Sequence, residues 1–119
     1  MTKVNNYVEV YSDPEWVRTF VCGDLHGQYK ILMKALDEIG FNFESDMLIC
    51  TGDLVDHGEQ NLEIIALLDE TWFKSVRGNH DQMCISGLTN TKMRQSHKDK
   101  ENGGAWFYEL SDSVQQSIF

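Results

Sequence analysis

The stretch TFVCGDLHGQYKILMKAL, residues 19–36, changes its period halfway along. Arg18 to Cys22 is a β-rich apolar run, and from Gln28 onward Ile31, Leu32, Ala35, Leu36 and Ile39 fall at helical spacing, with Gly40 as the stop. Between them lies Gly23-Asp24-Leu25-His26-Gly27, an acid and a histidine two residues apart with a glycine on each side. The spacing predicts a strand, a tight loop carrying two metal-ligand side chains, and a helix.

Working outward, the same arrangement recurs twice. Met47 to Thr51 is a second short apolar strand, followed by Gly52-Asp53-Leu54-Val55-Asp56-His57-Gly58 and a compact helix over Asn61–Leu68. Phe73 to Val76 is a third strand, followed by Arg77-Gly78-Asn79-His80-Asp81 and a helix beginning over Asp81–Ile85. Strand alternating with helix predicts an α/β fold, a β-α-β-α-β unit with right-handed crossovers and a mostly parallel sheet. Upstream, Val8–Tyr11 alternates as a short edge strand and Ser12-Asp13-Pro14 reads as a turn. Downstream, residues 89–102 read as a polar, solvated loop in which His97 is a surface residue. Trp106, Phe107, Leu110, Val114 and Ile118 then form the apolar stripe of an amphipathic helix over residues 103–119, which needs a cover. The organisation is one domain over 1–119, with a motif-bearing core at 18–88.

Composition narrows the function classes. With 119 residues there is length for one small domain. The formal net charge of -9 disfavours a nucleic-acid surface, because phosphate backbones would be repelled, and suits divalent cations. No apolar run approaches the roughly 18 residues of a membrane span. The N-terminal stretch lacks the apolar segment of a signal peptide, so a cytoplasmic setting is expected. Cys22, Cys50 and Cys84 are odd in number and lack CxxC spacing, so neither a disulfide framework nor a structural zinc site is expected.

In an open α/β sheet, ligands bind outside the carboxyl ends of the strands. Three loops converging there bring together Asp24, His26, Asp53, Asn79 and His80. Taken singly, Asp24 or Asp53 reads as a turn or cap residue, and Asn79 or Asp56 as the cap of the helix that follows. Recurring in order, each after a strand, they read as a metal site. Carboxylate, imidazole and amide oxygen suit Mn, Fe or Zn. Two such ions can generate a hydroxide nucleophile and clamp a phosphoryl group. Arg77 fits as a phosphate clamp, since guanidinium matches phosphate oxygens bidentately.

GDLHG, GDLVDHG and RGNHD resemble the first three signature blocks of the calcineurin-like metallophosphoesterase superfamily. Within it, WFKSVRGNHDQM and NGGAWFYEL resemble the serine/threonine phosphoprotein phosphatases, lambda-type bacteriophage enzymes in particular, from about Arg18 to Leu110. The resemblance implies the first half of a four-layer sandwich and a metal-dependent phosphomonoester hydrolase with a binuclear centre. It makes Asp24 and His26 ligands of the first metal, Asp53 the bridging carboxylate and Asn79 a ligand of the second. It makes His80 the general acid, oriented by Asp56, and Arg77 a phosphate ligand. The implied cofactors are two divalent ions, Mn²⁺ foremost, with Fe or Zn in some members. The implied substrate is a phosphoprotein or phosphorylated small molecule.

Two departures stand out. The second block has Asp56-His57-Gly58 where the family has Asp-Arg-Gly, and a neutral imidazole is a weak substitute for a bidentate phosphate ligand. The family's second half, with further histidine ligands and another sheet, has no counterpart here. The second metal site is therefore expected to be incomplete, the Trp106–Ile118 stripe exposed, and a homodimer or a complementing C-terminal half the partner. Two alternatives stay beside the phosphatase reading. One is a hydrolase of dinucleoside polyphosphates or other nucleotides. The other is a non-catalytic fragment.

Overall fold

The computed structural model describes residues 2–5, 8–10 and 16–118. Strands β1 (Thr2–Asn5) and β2 (Val8–Val10) form an antiparallel pair, with Thr2 opposite Val10. The alternation expected at residues 8–11 is thus a strand over Val8–Val10, while Tyr11 and the expected turn at 12–14 lie outside the described residues. The core begins with β3 (Arg18–Cys22), α1 (Tyr29–Glu38) and β4 (Asp46–Cys50). It continues through α2 (Asn61–Ala66), a 3-10 turn at Leu67–Asp69, β5 (Phe73–Ser75) and α3 (Asn79–Gly87). The three strands form one parallel sheet in the order β3-β4-β5, with Phe20 beside Leu48 and Leu48 beside Phe73. The βαβαβα expectation therefore holds, with element ends shifted by one or two residues.

Register puts alternate residues on opposite faces. Leu48, Cys50 and Phe73 on one face are buried in a core that includes Leu32, Leu36, Ile64 and Phe107. On the other face Val21 is 68% exposed, Ile49 partly exposed, and Val76, just beyond β5, 58% exposed. Met47, on the same face, is buried, so the open part is the patch of Val21, Ile49 and Val76. A parallel sheet is ordinarily covered on both faces, and this patch has no cover among the described residues.

Arg18 at the start of β3 closes the far end of the sheet. Its Nε donates to Asp46 Oδ1 at 3.1 Å and its Nη2 to the Gly40 carbonyl at 3.0 Å. Asp46 is buried, and the Arg18 guanidinium holds its carboxyl below the usual range. Such a lowered carboxylate stabilises the fold above the unfolded-state value of about 3.9, and the contribution is lost as pH falls through the folded value. Urea unfolding of wild type and Arg18→Gln should therefore show a stability gap at pH 7 that closes in acid. A gap independent of pH would assign Arg18 a packing role instead.

Two expectations beyond Gly87 are corrected. Residues 89–102 are not a solvated loop: α4 spans Thr91–Lys98, started by Asn90, whose Oδ1 accepts the Met93 N–H at 3.0 Å. Polarity hides this helix because its sequence is hydrophilic on all but one narrow face, where Met93 and Arg94 are half-buried and His97 is fully buried rather than on the surface. Residues 103–119 are not one amphipathic helix. They form α5 (Ala105–Tyr108) and α6 (Asp112–Ile118), broken around Leu110 and Ser111. The break folds the stripe inward: Phe107 is fully buried, and Trp106, Leu110 and Ile118 pack on the core, while Val114 stays 40% exposed. The chain covers most of this stripe itself. Among the described residues no helix is long and apolar enough to cross a membrane, and Cys22, Cys50 and Cys84 are free thiols.

Candidate metal centre and phosphoester site

The three loops meet through their backbones before any side chain is considered. The Asp53 carbonyl accepts the N–H groups of Leu25 (3.1 Å) and His26 (3.0 Å), and the Leu54 carbonyl accepts that of Gly27 at 2.8 Å. The second and third loops are tied by Asp81, the third residue of α3. Its carboxylate accepts from the N–H groups of Asp53 (3.0 Å), Leu54 (2.9 Å) and Gly78 (2.9 Å). Asn61 performs a similar task inside the second loop, accepting the Asp56 N–H and donating to the Gly58 carbonyl, each at 2.9 Å. The sequence pattern starts this helix at Asp81; the observed start at Asn79 makes Asp81 the third helical residue, and the pattern does not show its tie to the second loop. Nothing in the sequence marks Asn61.

The geometry is strained where the site lies. His26, Asp53, Asp56 and His57 all have positive φ, between 42° and 74°. Non-glycine residues rarely adopt this region, and each such residue costs on the order of 1–3 kcal/mol. The loop hydrogen bonds just described over-determine the backbone and hold it there. Neither Asp56 nor Asn79 serves as a helix cap: the caps are Gln60 for α2 and Gly78 for α3.

Asp24, His26 and Asp53 offer ligand atoms that all lie within 4.8 Å of one another. His26 Nδ1 is 2.9 Å from the Val55 carbonyl, so it carries the proton and leaves Nε2 as the lone-pair donor. That Nε2 lies 3.7 Å from Asp24 Oδ2. Asp53 Oδ1 accepts the His80 N–H at 2.9 Å, which places the start of α3 beside the carboxylates. Asn79 is exposed at the first turn of α3, next to that contact. Two carboxylates and a neutral imidazole with a fixed tautomer form a donor set that fits a hard or borderline divalent ion.

The imidazoles of His26, His57 and His80 form a triangle with ring centroids 5.0–5.4 Å apart. His80 Nδ1 donates to Asp56 Oδ2 at 2.9 Å. Asp56 is fully buried; burial alone would push its carboxyl up, but hydrogen bonds from His97, Trp106 and His80 prevail and hold it below the usual range. Arg77 is exposed, and its Nη1 donates to Gln82 Oε1 at 3.1 Å. The structure thus draws Asp24, His26, Asp53, Asp56, His57 and His80 into one cluster, with Arg77 on its exposed margin.

A second group, Asp56, Cys84 and His97, also lies within 4.8 Å. Its donors are already committed to one another, since His97 Nε2 bonds Asp56 Oδ2 at 2.6 Å and lies 3.9 Å from Cys84 Sγ.

With this geometry in view, comparison with known proteins identifies the class. The family description "Calcineurin-like phosphoesterase" matches residues 17–117. The chain belongs to the calcineurin-like phosphoesterase family, whose members use divalent metals. It is 41% identical over 106 residues to serine/threonine-protein phosphatase 1 of Salmonella typhimurium, covering 87% of this chain and 48% of that protein. It is 36% identical over 86 residues to a symmetrical bis(5'-nucleosyl)-tetraphosphatase of Proteus mirabilis, covering 71% of this chain and 31% of that one. A solved serine/threonine phosphatase from Saccharomyces cerevisiae shares the fold, with a TM-score of 0.55 and 21% identity over 89% of this chain and 35% of that chain. The chain spans about half the length of the phosphatase relative, or less than half where the relatives are longer.

Proposed function

We propose that the chain is the site-bearing part of a metal-dependent serine/threonine protein phosphatase that hydrolyses phosphomonoesters. The observation that carries this reading is the juxtaposition of a carboxylate–imidazole donor set with an imidazole backed by a buried carboxylate. Asp24, His26 and Asp53 would hold the first divalent ion, with Asp53 shared and Asn79 serving the second. Mn²⁺ is the ion we expect, because oxygen-rich ligation suits it. When bound, a pair of such ions supplies a nucleophile at neutral pH and neutralises phosphoryl charge. The chain's own residues do the rest. In its protonated form, with N–H at both ring nitrogens, His80 presents Nε2–H toward the leaving oxygen as the proton donor, while Asp56 holds its Nδ1–H. Arg77 and, more weakly, His57 bind the substrate phosphate.

The experiment is hydrolysis of p-nitrophenyl phosphate across a Mn²⁺ titration. Saturable, EDTA-sensitive turnover is expected, and His80→Asn should lower it by about a hundredfold. Metal-independent turnover would overturn the reading, and a folded chain with none would leave a non-catalytic fragment.

A second substrate reading has its own support. A pocket bordered by His57, Gly58, Lys98, Lys100, Gly103 and Trp106 includes two lysines in its lining, a positive charge that suits a polyphosphate. Preferential cleavage of a dinucleoside tetraphosphate over a phosphopeptide would favour it. We further propose a cytoplasmic setting, consistent with three free thiols. The uncovered sheet face of Val21, Ile49 and Val76 is where a complementing second half or a second copy would dock; the mass in solution, alone and with that half, tests this.

A further inference from the structure

His97 is buried completely, and the reason lies in what it touches. Its Nε2 is 2.6 Å from Asp56 Oδ2, the same oxygen that His80 Nδ1 contacts at 2.9 Å. Its Nδ1 is 2.8 Å from the Tyr108 hydroxyl. The other Asp56 oxygen accepts the Trp106 indole N–H at 2.7 Å. For a carboxylate to accept from two imidazoles on one oxygen, both must present N–H. With the N–H on Nε2, His97 offers Nδ1 as an acceptor, and Tyr108 donates to it. Tyr108 suits that role, since burial chiefly pushes its hydroxyl up to about 12 and keeps it protonated.

The chain's glycines are moulded to this arrangement. A Cβ on Gly104 would lie 2.1 Å from His97 Cδ2, one on Gly103 would lie 2.7 Å from the His57 backbone nitrogen and 2.8 Å from its Nδ1, and one on Gly87 would meet the Tyr108 hydroxyl. The Asn102-Gly103-Gly104 segment therefore fits closely over His97 and His57. A buried histidine that merely anchored α4 could bond any nearby carbonyl. This one bonds the single carboxylate that orients His80.

We propose that His97 and Trp106 are positioning residues, which clamp Asp56 from two sides and so fix the tautomer and aim of the His80 imidazole. The proposal rests on the phosphatase reading for its kinetic consequence, not for its structural one. A fixed His80 Nδ1–H leaves Nε2 as the atom facing substrate. A loosened Asp56 lets the neutral ring sample the other tautomer. It also lets the protonated ring, which carries N–H at both nitrogens when it donates, swing so that Nε2–H is misaimed. The loss falls on esters whose leaving oxygen needs that proton.

Four proteins decide it: wild type, His97→Phe, His97→Gln and Trp106→Phe. The first readout is the His80 tautomer in the metal-free chain, from two-bond proton–nitrogen correlations at one fixed pH. Wild type and His97→Gln, whose amide can still donate to Asp56, should show Nδ1–H alone. His97→Phe and Trp106→Phe should show a mixture. The second readout is Mn²⁺-supported kinetics on two aryl phosphates. With phenyl phosphate, a poor leaving group, kcat should fall about tenfold in the Phe variants at unchanged KM, short of the roughly hundredfold of a 1 Å misplacement. With 2,4-dinitrophenyl phosphate, kcat should hold. An unchanged His80 tautomer in both Phe variants overturns the proposal, as does an equal loss on both esters. If wild type hydrolyses neither ester, the phosphatase reading fails, and the tautomers alone decide the positioning claim.

Discussion

Asp53→Asn should leave the fold intact and remove the metal site. The substitution keeps the shape of the side chain and an amide oxygen that can still accept the His80 N–H, now 2.9 Å from Oδ1. The residue's own N–H, which donates to Asp81 Oδ2 at 3.0 Å, is untouched. What disappears is the charge at the point where the first two loops face each other, within 4.8 Å of the ligand atoms of Asp24 and His26. Partners one bond removed from a metal are worth about 10–100-fold in affinity, so a ligand carboxylate should exceed that. Isothermal titration should show Mn²⁺ affinity lowered by more than about a hundredfold. Turnover should fall about a thousandfold, the upper range for losing one electrostatic contact to a reacting centre. A folded variant that binds Mn²⁺ like wild type would remove Asp53 from the site.

The sheet and the three loops were legible because their signals are local. Apolar runs of strand length, helical spacing after Gln28 and acids following glycines each lie within a window of a few residues. What escaped is what distance creates. His97 is separated by 41 residues from the Asp56 oxygen it bonds, and Trp106 by 50. Its neighbours are serine, lysine and aspartate, so polarity places it in solvent, while the fold turns that one side chain inward from α4. The stripe at Trp106–Ile118 misled for the opposite reason. Its spacing fits one helix, but a break after α5 lets two short helices bury it against the core. The clustered positive φ angles leave no composition signal, because Asp and His occupy positions where glycine would be easier.

The two glycines that flank the first motif look equivalent in sequence, and substitution should separate them. A Cβ on Gly23 meets nothing within 4 Å, and its φ is not in the left-handed region. Gly23→Ala should therefore behave like wild type. Gly27 has φ +67°, and a Cβ there would lie 2.5 Å from Asn61 Oδ1. The tightest contact is on the facing loop: a Cβ on Gly58 would lie 1.9 Å from the His26 carbonyl oxygen, a backbone atom. Ordinary contact begins at 3.4 Å, so Gly58→Ala must part the two loops by more than an ångström. That separation breaks the Gln60 N–H to Gly27 carbonyl bond, now 2.8 Å, and carries His26 away from Asp24 and Asp53. Because a misplacement of about 1 Å costs roughly a hundredfold in rate, Gly58→Ala should lose at least that much turnover. Mn²⁺ affinity should fall with it, and Gly23→Ala serves as the control for an added methyl group. Equal activity in the two variants would mean that the loops do not press together as the backbone contacts require, and the metal centre would have to be built another way.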